Sequence, residues 1–125
     1  MENKKILIIE DDATLRNVLS EFLESEGFAV AMASDGEEGI ELANNSKPDL
    51  ILLDIIIPKK NGFEVLKEIK GNKDISDIPV ILLTNLGSLD DIEKALELGA
   101  TTYLVKGDYQ IKEIVEKIKE VLSLK

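Results

Sequence analysis

Several apolar stretches of this 125-residue chain end on side chains that can do chemistry. The residues at these ends are Glu10, Asp11, Asp12, Asp54, Thr84 and Lys106. Carboxylates held close together repel one another unless a cation neutralises them, and oxygen ligands favour hard divalent ions such as Mg²⁺ or Mn²⁺. A hydroxyl and an ammonium beside them suit a phosphoryl group, which Asp54 could accept as a nucleophile.

Composition excludes several classes of function. The chain has no cysteine and no histidine, so thiol nucleophiles, Ser-His-Asp chemistry and the usual zinc sites are ruled out within it. Its net charge of −10 argues against binding a nucleic-acid backbone. No apolar run is long enough to span a membrane, and the N-terminus does not resemble a signal peptide, so a cytoplasmic location is expected.

Alternating strand and helix patterns must position these residues. Apolar runs predict strands over residues 5–10, 28–33, 50–53, 79–83 and 101–105. Helices are predicted over residues 13–26, after a Ser34–Glu37 capping box, from residue 63 to Gly71, from Ser88 to Gly99, and from about Tyr109 to about Leu122. This alternation predicts a parallel sheet with helices on both faces, and the carboxyl ends of its strands share one edge.

In their order and spacing, these residues resemble the receiver domain of two-component response regulators, including the stand-alone chemotaxis type. The matching residues are 6–12 (Ile-Leu-Ile-Ile-Glu-Asp-Asp), Asp54, Pro58, Gly62, Thr84 and 103–106 (Tyr-Leu-Val-Lys). The resemblance covers the whole chain. It implies a flavodoxin-like, doubly wound five-stranded sheet of order 2-1-3-4-5, in a single receiver domain over residues 1–125 without an output domain.

The resemblance also implies a phosphoryl-accepting site. Asp54 would be the phospho-acceptor, and the donor would be a phosphohistidine on a sensor histidine kinase or a histidine phosphotransfer protein. Asp11, Asp54 and the backbone carbonyl of Ile56 would bind Mg²⁺ or Mn²⁺, with Glu10 contributing through water. Such a domain catalyses its own phosphorylation and dephosphorylation and acts on no outside substrate.

Two further roles follow from the same resemblance. Thr84 and Lys106 would contact the phosphoryl group. Thr84 and Tyr103 would form a switch pair that carries phosphorylation to the surface of the fourth helix, fifth strand and fifth helix. A downstream protein would bind that surface, and the domain would be a monomer or a phosphorylation-dependent homodimer.

The chain departs from the family pattern at a few positions. Gly107 stands where proline usually follows the lysine, so we expect a trans Lys106–Gly107 bond, because a cis bond without proline costs about 2.5–4 kcal/mol. Asn85 stands where a small residue is usual and could narrow access to the site. Ile56 and Leu86 are apolar at positions that tune dephosphorylation, and we expect them to hinder water and lengthen the life of the phosphoryl group.

Other interpretations of the same residues stay open at this stage. Asp12 is better explained as the N-cap of the first helix than as a metal ligand. An adaptor that keeps the fold but binds partners without phosphorylation is the main alternative. A phosphohydrolase usually has a second acid two residues after the nucleophile, where this chain has Ile56. A flavin site needs a phosphate loop after the first strand, where acids would repel the phosphate.

Overall fold

Five strands alternate with five helices in the computed structural model, which describes residues 4–84, 89–106 and 110–123. The strands are β1 (Lys5–Ile9), β2 (Ala29–Ala33), β3 (Leu50–Leu53), β4 (Val80–Thr84) and β5 (Thr102–Val105). The helices are α1 (Ala13–Ser25), α2 (Gly36–Ser46), α3 (Gly62–Lys70), α4 (Leu89–Glu97) and α5 (Ile111–Ser123). The predicted alternation is confirmed, with differences of one or two residues at several ends.

All neighbouring strands in the sheet are parallel, and their order is β2-β1-β3-β4-β5, as predicted. Strand β1 lies between β2 and β3, where Leu7 is paired with both Ala31 and Ile51. The connections from β1 and from β3 therefore run to opposite sides of the sheet. Such a reversal opens a crevice beside the carboxyl ends of β1 and β3.

Apolar side chains cover both faces of the sheet. Along β1, Ile6 and Ile8 pack in a core with α1 and α5, while Leu7 and Ile9 pack in a second core with α2, α3 and α4. Alternation of side chains along a strand produces this division. It explains why the central strands are continuous apolar runs, since a strand covered on both faces has no solvent-facing positions.

Helix caps confirm one prediction and correct another. Asp12 is the N-cap of α1, and its side chain accepts hydrogen bonds from two amides of the first turn. The predicted Ser34–Glu37 capping box is wrong by one residue, because the N-cap of α2 is Asp35. Asp35 accepts from the Glu38 amide at 2.8 Å, and the Glu38 carboxylate accepts from the Ser34 amide at 3.0 Å. Aspartate is an N-cap residue at least as good as serine, so the helix begins one residue later.

The remaining differences are small. Strand β2 begins at Ala29, one residue later than predicted. The predicted start of the last helix at Tyr109 and the Lys106–Gly107 bond lie outside the described residues. Across the described part of the chain, no helix combines the length and the apolar character needed to cross a membrane.

Candidate functional site

Four strands deliver one functional side chain each to the carboxyl edge of the sheet. Glu10 follows β1, Asp54 follows β3, Thr84 ends β4 and Lys106 follows β5. Glu10, Asp54 and Thr84 are 2%, 6% and 0% exposed, although each is polar or charged. The strand order makes the ends of β1, β3, β4 and β5 neighbours. Glu10, Asp54 and Lys106 line one cavity, whereas Thr84 is not among the residues that line it.

The ammonium of Lys106 bridges the two buried carboxylates. Its Nζ lies 2.7 Å from Glu10 Oε1 and donates a hydrogen bond to Asp54 Oδ2 at 3.0 Å. The Lys106 side chain is itself only 14% exposed. Charges removed from water in this way need close partners, and here one cation serves two anions.

Neither carboxylate is fully satisfied by this contact. Glu10 Oε2 accepts from the Asp12 amide at 3.1 Å, and Asp54 Oδ1 accepts from the Ile56 amide at 3.3 Å. Glu10 Oε1 is buried beside the ammonium but makes no hydrogen bond of regular geometry within the described structure. Within the described structure, the Lys106 ammonium is therefore the close partner of this oxygen.

A cavity of about 240 Å³ opens in front of these groups. It is lined by Glu10, Asp11, Asp12, Asp54, Ile56 and Lys106. One carboxylate oxygen from each of Glu10, Asp11 and Asp54 lies within 4.8 Å of the others. Three carboxylates against one ammonium leave two negative charges, which a divalent cation would balance. The all-oxygen donor set fits Mg²⁺ or Mn²⁺.

Burial and neighbouring charges shift the pKa values of two members of this cluster, Glu10 and Lys106. Burial raises the pKa of the Glu10 carboxyl, and the Asp54 charge raises it further, while Lys106 and the Asp12 amide lower it by less. Burial alone would lower the pKa of Lys106, but its contacts with Glu10 and Asp54 outweigh burial and raise it. Lys106 therefore stays charged, and one ammonium does not fully compensate two buried carboxylates.

Thr84 and Tyr103 lie on neighbouring strands. Thr84 is paired with Val105 and Tyr103 with Leu82, so Thr84 and Tyr103 point to the same face of the sheet. The Thr84 carbonyl also accepts from the Lys106 amide at 2.6 Å, which ties the two strand ends together. Tyr103 is 38% exposed and is not a core residue. This arrangement is compatible with the predicted switch pair.

Of the three positions predicted to tune dephosphorylation, the structure describes one, Ile56. Ile56 is 58% exposed at the mouth of the cavity, an unusual place for a large apolar side chain. Asn85 and Leu86 lie outside the described residues.

Two local contacts beside the strand ends were not predicted from the sequence. The Arg16 guanidinium, on α1, donates to the Glu10 carbonyl at 2.7 Å and so ties the helix to the end of β1. Asn61 and Glu64 form a reciprocal capping box at the start of α3. The Asn61-x-x-Glu64 spacing is a readable signal for that cap, whereas no sequence pattern indicates the Arg16 contact.

Gly62 closes the loop that follows Asp54. Its amide donates to the Ile55 carbonyl at 2.7 Å, and a Cβ at this position would lie 2.5 Å from Ile55 Cα. Only glycine lets the two backbones approach so closely. The loop that follows the candidate nucleophile therefore returns to Ile55 at the point where α3 begins.

The fold and the site together define a class: a doubly wound α/β domain with an acid-and-lysine pocket at its topological switch point. The family model for the response regulator receiver domain matches residues 6–119. The chain therefore belongs to the response regulator receiver domain family.

Individual relatives agree with this assignment. The chain is 44% identical over 119 residues to the probable transcriptional regulator ycf27 of Guillardia theta, covering 95% of this chain and 45% of that protein. It is 38% identical over 125 residues to sporulation initiation phosphotransferase F of Bacillus subtilis, covering 100% of this chain and 98% of that protein. The chain spans about half the length of several transcriptional regulators that it matches.

A solved structure shows the same architecture. The CheY-like response regulator receiver domain protein of Methanospirillum hungatei superposes with a TM-score of 0.90 at 32% identity, covering 97% of this chain and 94% of that one. The predicted family and fold are confirmed.

Proposed function

We propose that this domain is a phospho-accepting switch, in which Asp54 takes a phosphoryl group from a phosphohistidine on a sensor kinase or phosphotransfer protein. The observation that carries the proposal is the Lys106 ammonium in contact with both Glu10 and Asp54, at the wall of a cavity that Asp11 also lines. Membership of the receiver family supports the same chemistry.

In the proposed transfer, a carboxylate oxygen of Asp54 attacks phosphorus. The new O–P bond forms as the P–N bond breaks, and the electron pair of that bond returns to the imidazole of the donor. Lys106, already 3.0 Å from Asp54, exchanges its contact with the carboxylate for one with the phosphoryl oxygens. The Thr84 hydroxyl is the proposed second donor to that group. Such transfers depend chiefly on positioning and charge neutralisation.

The metal site belongs to the same proposal. Asp11, Asp54 and the Ile56 carbonyl would hold Mg²⁺ or Mn²⁺ directly, and Glu10 through water. The bound ion supplies positive charge to the phosphoryl oxygens. Without it, the acidic pocket would repel an anionic donor, since the carboxylates outnumber the ammonium.

The proposed output is binding to a downstream protein. Thr84 and Tyr103 share a face of the sheet, and Tyr103 is partly exposed on the edge strand β5. Rearrangement of this pair on phosphorylation would change the surface of α4, β5 and α5. The domain acts on its own carboxylate in this proposal, and its net charge of −10 disfavours direct contact with nucleic acid.

Intact-mass spectrometry with a small phosphodonor tests the proposal. Wild-type protein with Mg²⁺ should gain one phosphoryl group, and Asp54→Ala should gain none. Asp12→Asn is the matched control, because it removes a charge from the same cavity while retaining an N-cap side chain for α1. We expect Asp12→Asn to be phosphorylated.

Two outcomes would contradict the proposal. Phosphorylation of Asp54→Ala to the wild-type extent would place the acceptor elsewhere. No gain in wild-type protein at saturating donor and metal would favour an adaptor that binds partners without phosphorylation.

Ile56 is proposed to lengthen the life of the phosphoryl group. Its exposed side chain lines the cavity and is placed to shield phosphorus from water. Ile56→Asn should shorten the half-life of the phosphorylated protein, measured by the decay of the added mass. A half-life in Ile56→Asn equal to or longer than that of wild type would refute this role.

A further inference from the structure

Helix α2 supplies no carboxylate to the candidate site, yet its first residue contacts the loop that follows Asp54. The Gly36 amide donates to the Pro58 carbonyl at 3.2 Å. A Cβ built on Gly36 would lie 2.0 Å from the Lys60 carbonyl oxygen and 2.8 Å from its carbon. These are backbone atoms, so a side chain at position 36 cannot be accommodated unless the loop moves.

The loop is held in an unfavourable conformation at this contact. Lys59 has a φ of 70°, in the left-handed region that non-glycine residues rarely adopt. Its ammonium lies 3.7 Å from Asp35, the N-cap of α2. Such a conformation persists where the surrounding structure enforces it. The start of α2 therefore acts on the loop through both its backbone and its cap.

The other limb of the same loop reaches the site. Ile56 lines the cavity, and its amide donates to Asp54 Oδ1 at 3.3 Å. Gly62 joins the loop to Ile55 through a hydrogen bond of 2.7 Å, so the segment is closed at its base. A displacement of the distal limb at residues 58–60 would therefore be passed to the backbone at Ile56.

We propose that Gly36 is a positioning residue for the candidate metal site: by admitting the backbone of residues 58–60, it sets the position of the Ile56 backbone beside Asp54. The inference rests on the proposed function, because the Ile56 carbonyl is a metal ligand only in that proposal. It assigns to α2 a part in the site that its sequence distance from Asp54 does not suggest.

Titration calorimetry with Mg²⁺ alone tests the proposal, with Gly36→Ala as the variant. We expect the Mg²⁺ affinity to fall about tenfold, a loss typical of residues that support metal ligands. The rate of phosphorylation should recover towards the wild-type value when Mg²⁺ is raised to saturation. A merely structural role would lower the melting temperature without changing the Mg²⁺ affinity of the folded protein.

Gly39→Ala is the matched control on the same helix. Its Cβ would lie 2.6 to 3.0 Å from three side-chain carbons of Ile9, which is buried in the core, so its closest contacts are with β1 and not with the loop. We expect a lower melting temperature with Mg²⁺ affinity retained. Equal affinities in Gly36→Ala and wild type, or equal losses in Gly36→Ala and Gly39→Ala, would overturn the proposal.

A measurement on the wild-type protein covers the case in which Gly36→Ala does not fold. In an NMR titration with Mg²⁺, the Gly36 amide resonance should shift with the same apparent affinity as that of Ile56, while the Gly39 resonance stays in place. Shifts at Ile56 without any at Gly36 would overturn the positioning role of Gly36 but leave the proposed function intact. No binding of Mg²⁺ by wild-type protein would remove the proposed function, and this inference with it.

Discussion

Two partly buried lysines lie at opposite edges of the sheet and differ in what surrounds them. Lys106, at the carboxyl edge, contacts the carboxylates of Glu10 and Asp54, and its pKa is raised despite burial. Lys70 ends α3 near the start of β4 and donates to the carbonyls of Ser76 and Ile78 at 2.9 and 2.7 Å. Burial lowers the pKa of Lys70, and the nearby charge of Asp77 only partly opposes this.

The difference shows that burial alone does not indicate function. Carbonyl dipoles satisfy the donors of Lys70 and close the loop between α3 and β4, which is a structural task. The carboxylates of Glu10, Asp11 and Asp54 around Lys106 form a cluster with two uncompensated negative charges, which one divalent cation would balance. Several groups with shifted pKa values around one cavity indicate a functional site more strongly than a single such group in a structural contact.

The largest expected difference between the two lysines is in phosphoryl transfer. Lys106→Met should slow phosphorylation by a small donor on the order of 100-fold, because it removes a charge aimed at the phosphoryl oxygens. Lys70→Met should be phosphorylated at the wild-type rate. Time courses of the added mass at saturating Mg²⁺ measure both. Equal rates for the two variants would show that Lys106 has no special role in phosphoryl transfer.

A second difference concerns the response of stability to metal. In the presence of a chelator, Lys106→Met should lower the free energy of unfolding by about 1–3 kcal/mol, since it leaves buried acceptor oxygens of Glu10 and Asp54 without their donor. Added Mg²⁺ should restore much of this loss, because an ion bound to the folded state alone stabilises it. Denaturant unfolding with and without Mg²⁺ provides the measurement.

Lys70→Met serves as the control for the metal response. Its loss of stability should be about 1 kcal/mol, from two hydrogen bonds, and should not depend on Mg²⁺. If Mg²⁺ stabilised Lys106→Met no more than Lys70→Met, the carboxyl-edge cluster would not be the metal site.

The smallest expected effect is the dependence of stability on alkaline pH. The pKa of Lys70 is lowered on folding, so below its ordinary value the unfolded chain binds more protons at this residue. Its contribution to stability should therefore increase as pH rises towards the ordinary lysine pKa of about 10.4. Lys70→Met should lose this increase, measured as the difference in unfolding free energy from wild type across that range.

Lys106 gives the opposite sign. Its pKa is raised on folding, so its contribution is complete below the ordinary lysine pKa and is lost as pH rises through the folded value. Relative to wild type, Lys106→Met should therefore lose less stability at high pH than at neutral pH. The same direction of change in both variants would contradict the opposite environments described for the two lysines.

Much of the fold could be predicted from local patterns. The continuous apolar run before Asp54 indicates a strand covered on both faces, and the helix signals between such runs indicate crossovers. Asp12 was predicted as an N-cap and is one. The cap of α2 was misplaced at Ser34, because Ser34 and Asp35 are both good cap residues and only the backbone conformation decides between them.

Contacts between distant segments could not be predicted in the same way. No periodic pattern in the sequence indicates the Arg16 contact with the Glu10 carbonyl or the close approach of Gly36 to Lys60. The different surroundings of Lys106 and Lys70 leave no such pattern either. Each depends on distances of a few ångströms between backbone or side-chain atoms that are brought together by folding.

The sequence by itself determined the order of strands and helices and the residue types at the carboxyl ends of the strands, because side-chain polarity and spacing decide which segments are buried. The tertiary structure decided that Lys106 bridges Glu10 and Asp54, and that α2 supports the loop after Asp54. The physical reason is that electrostatic and steric effects within the site depend on short distances between residues far apart in the chain, which chain order alone does not specify.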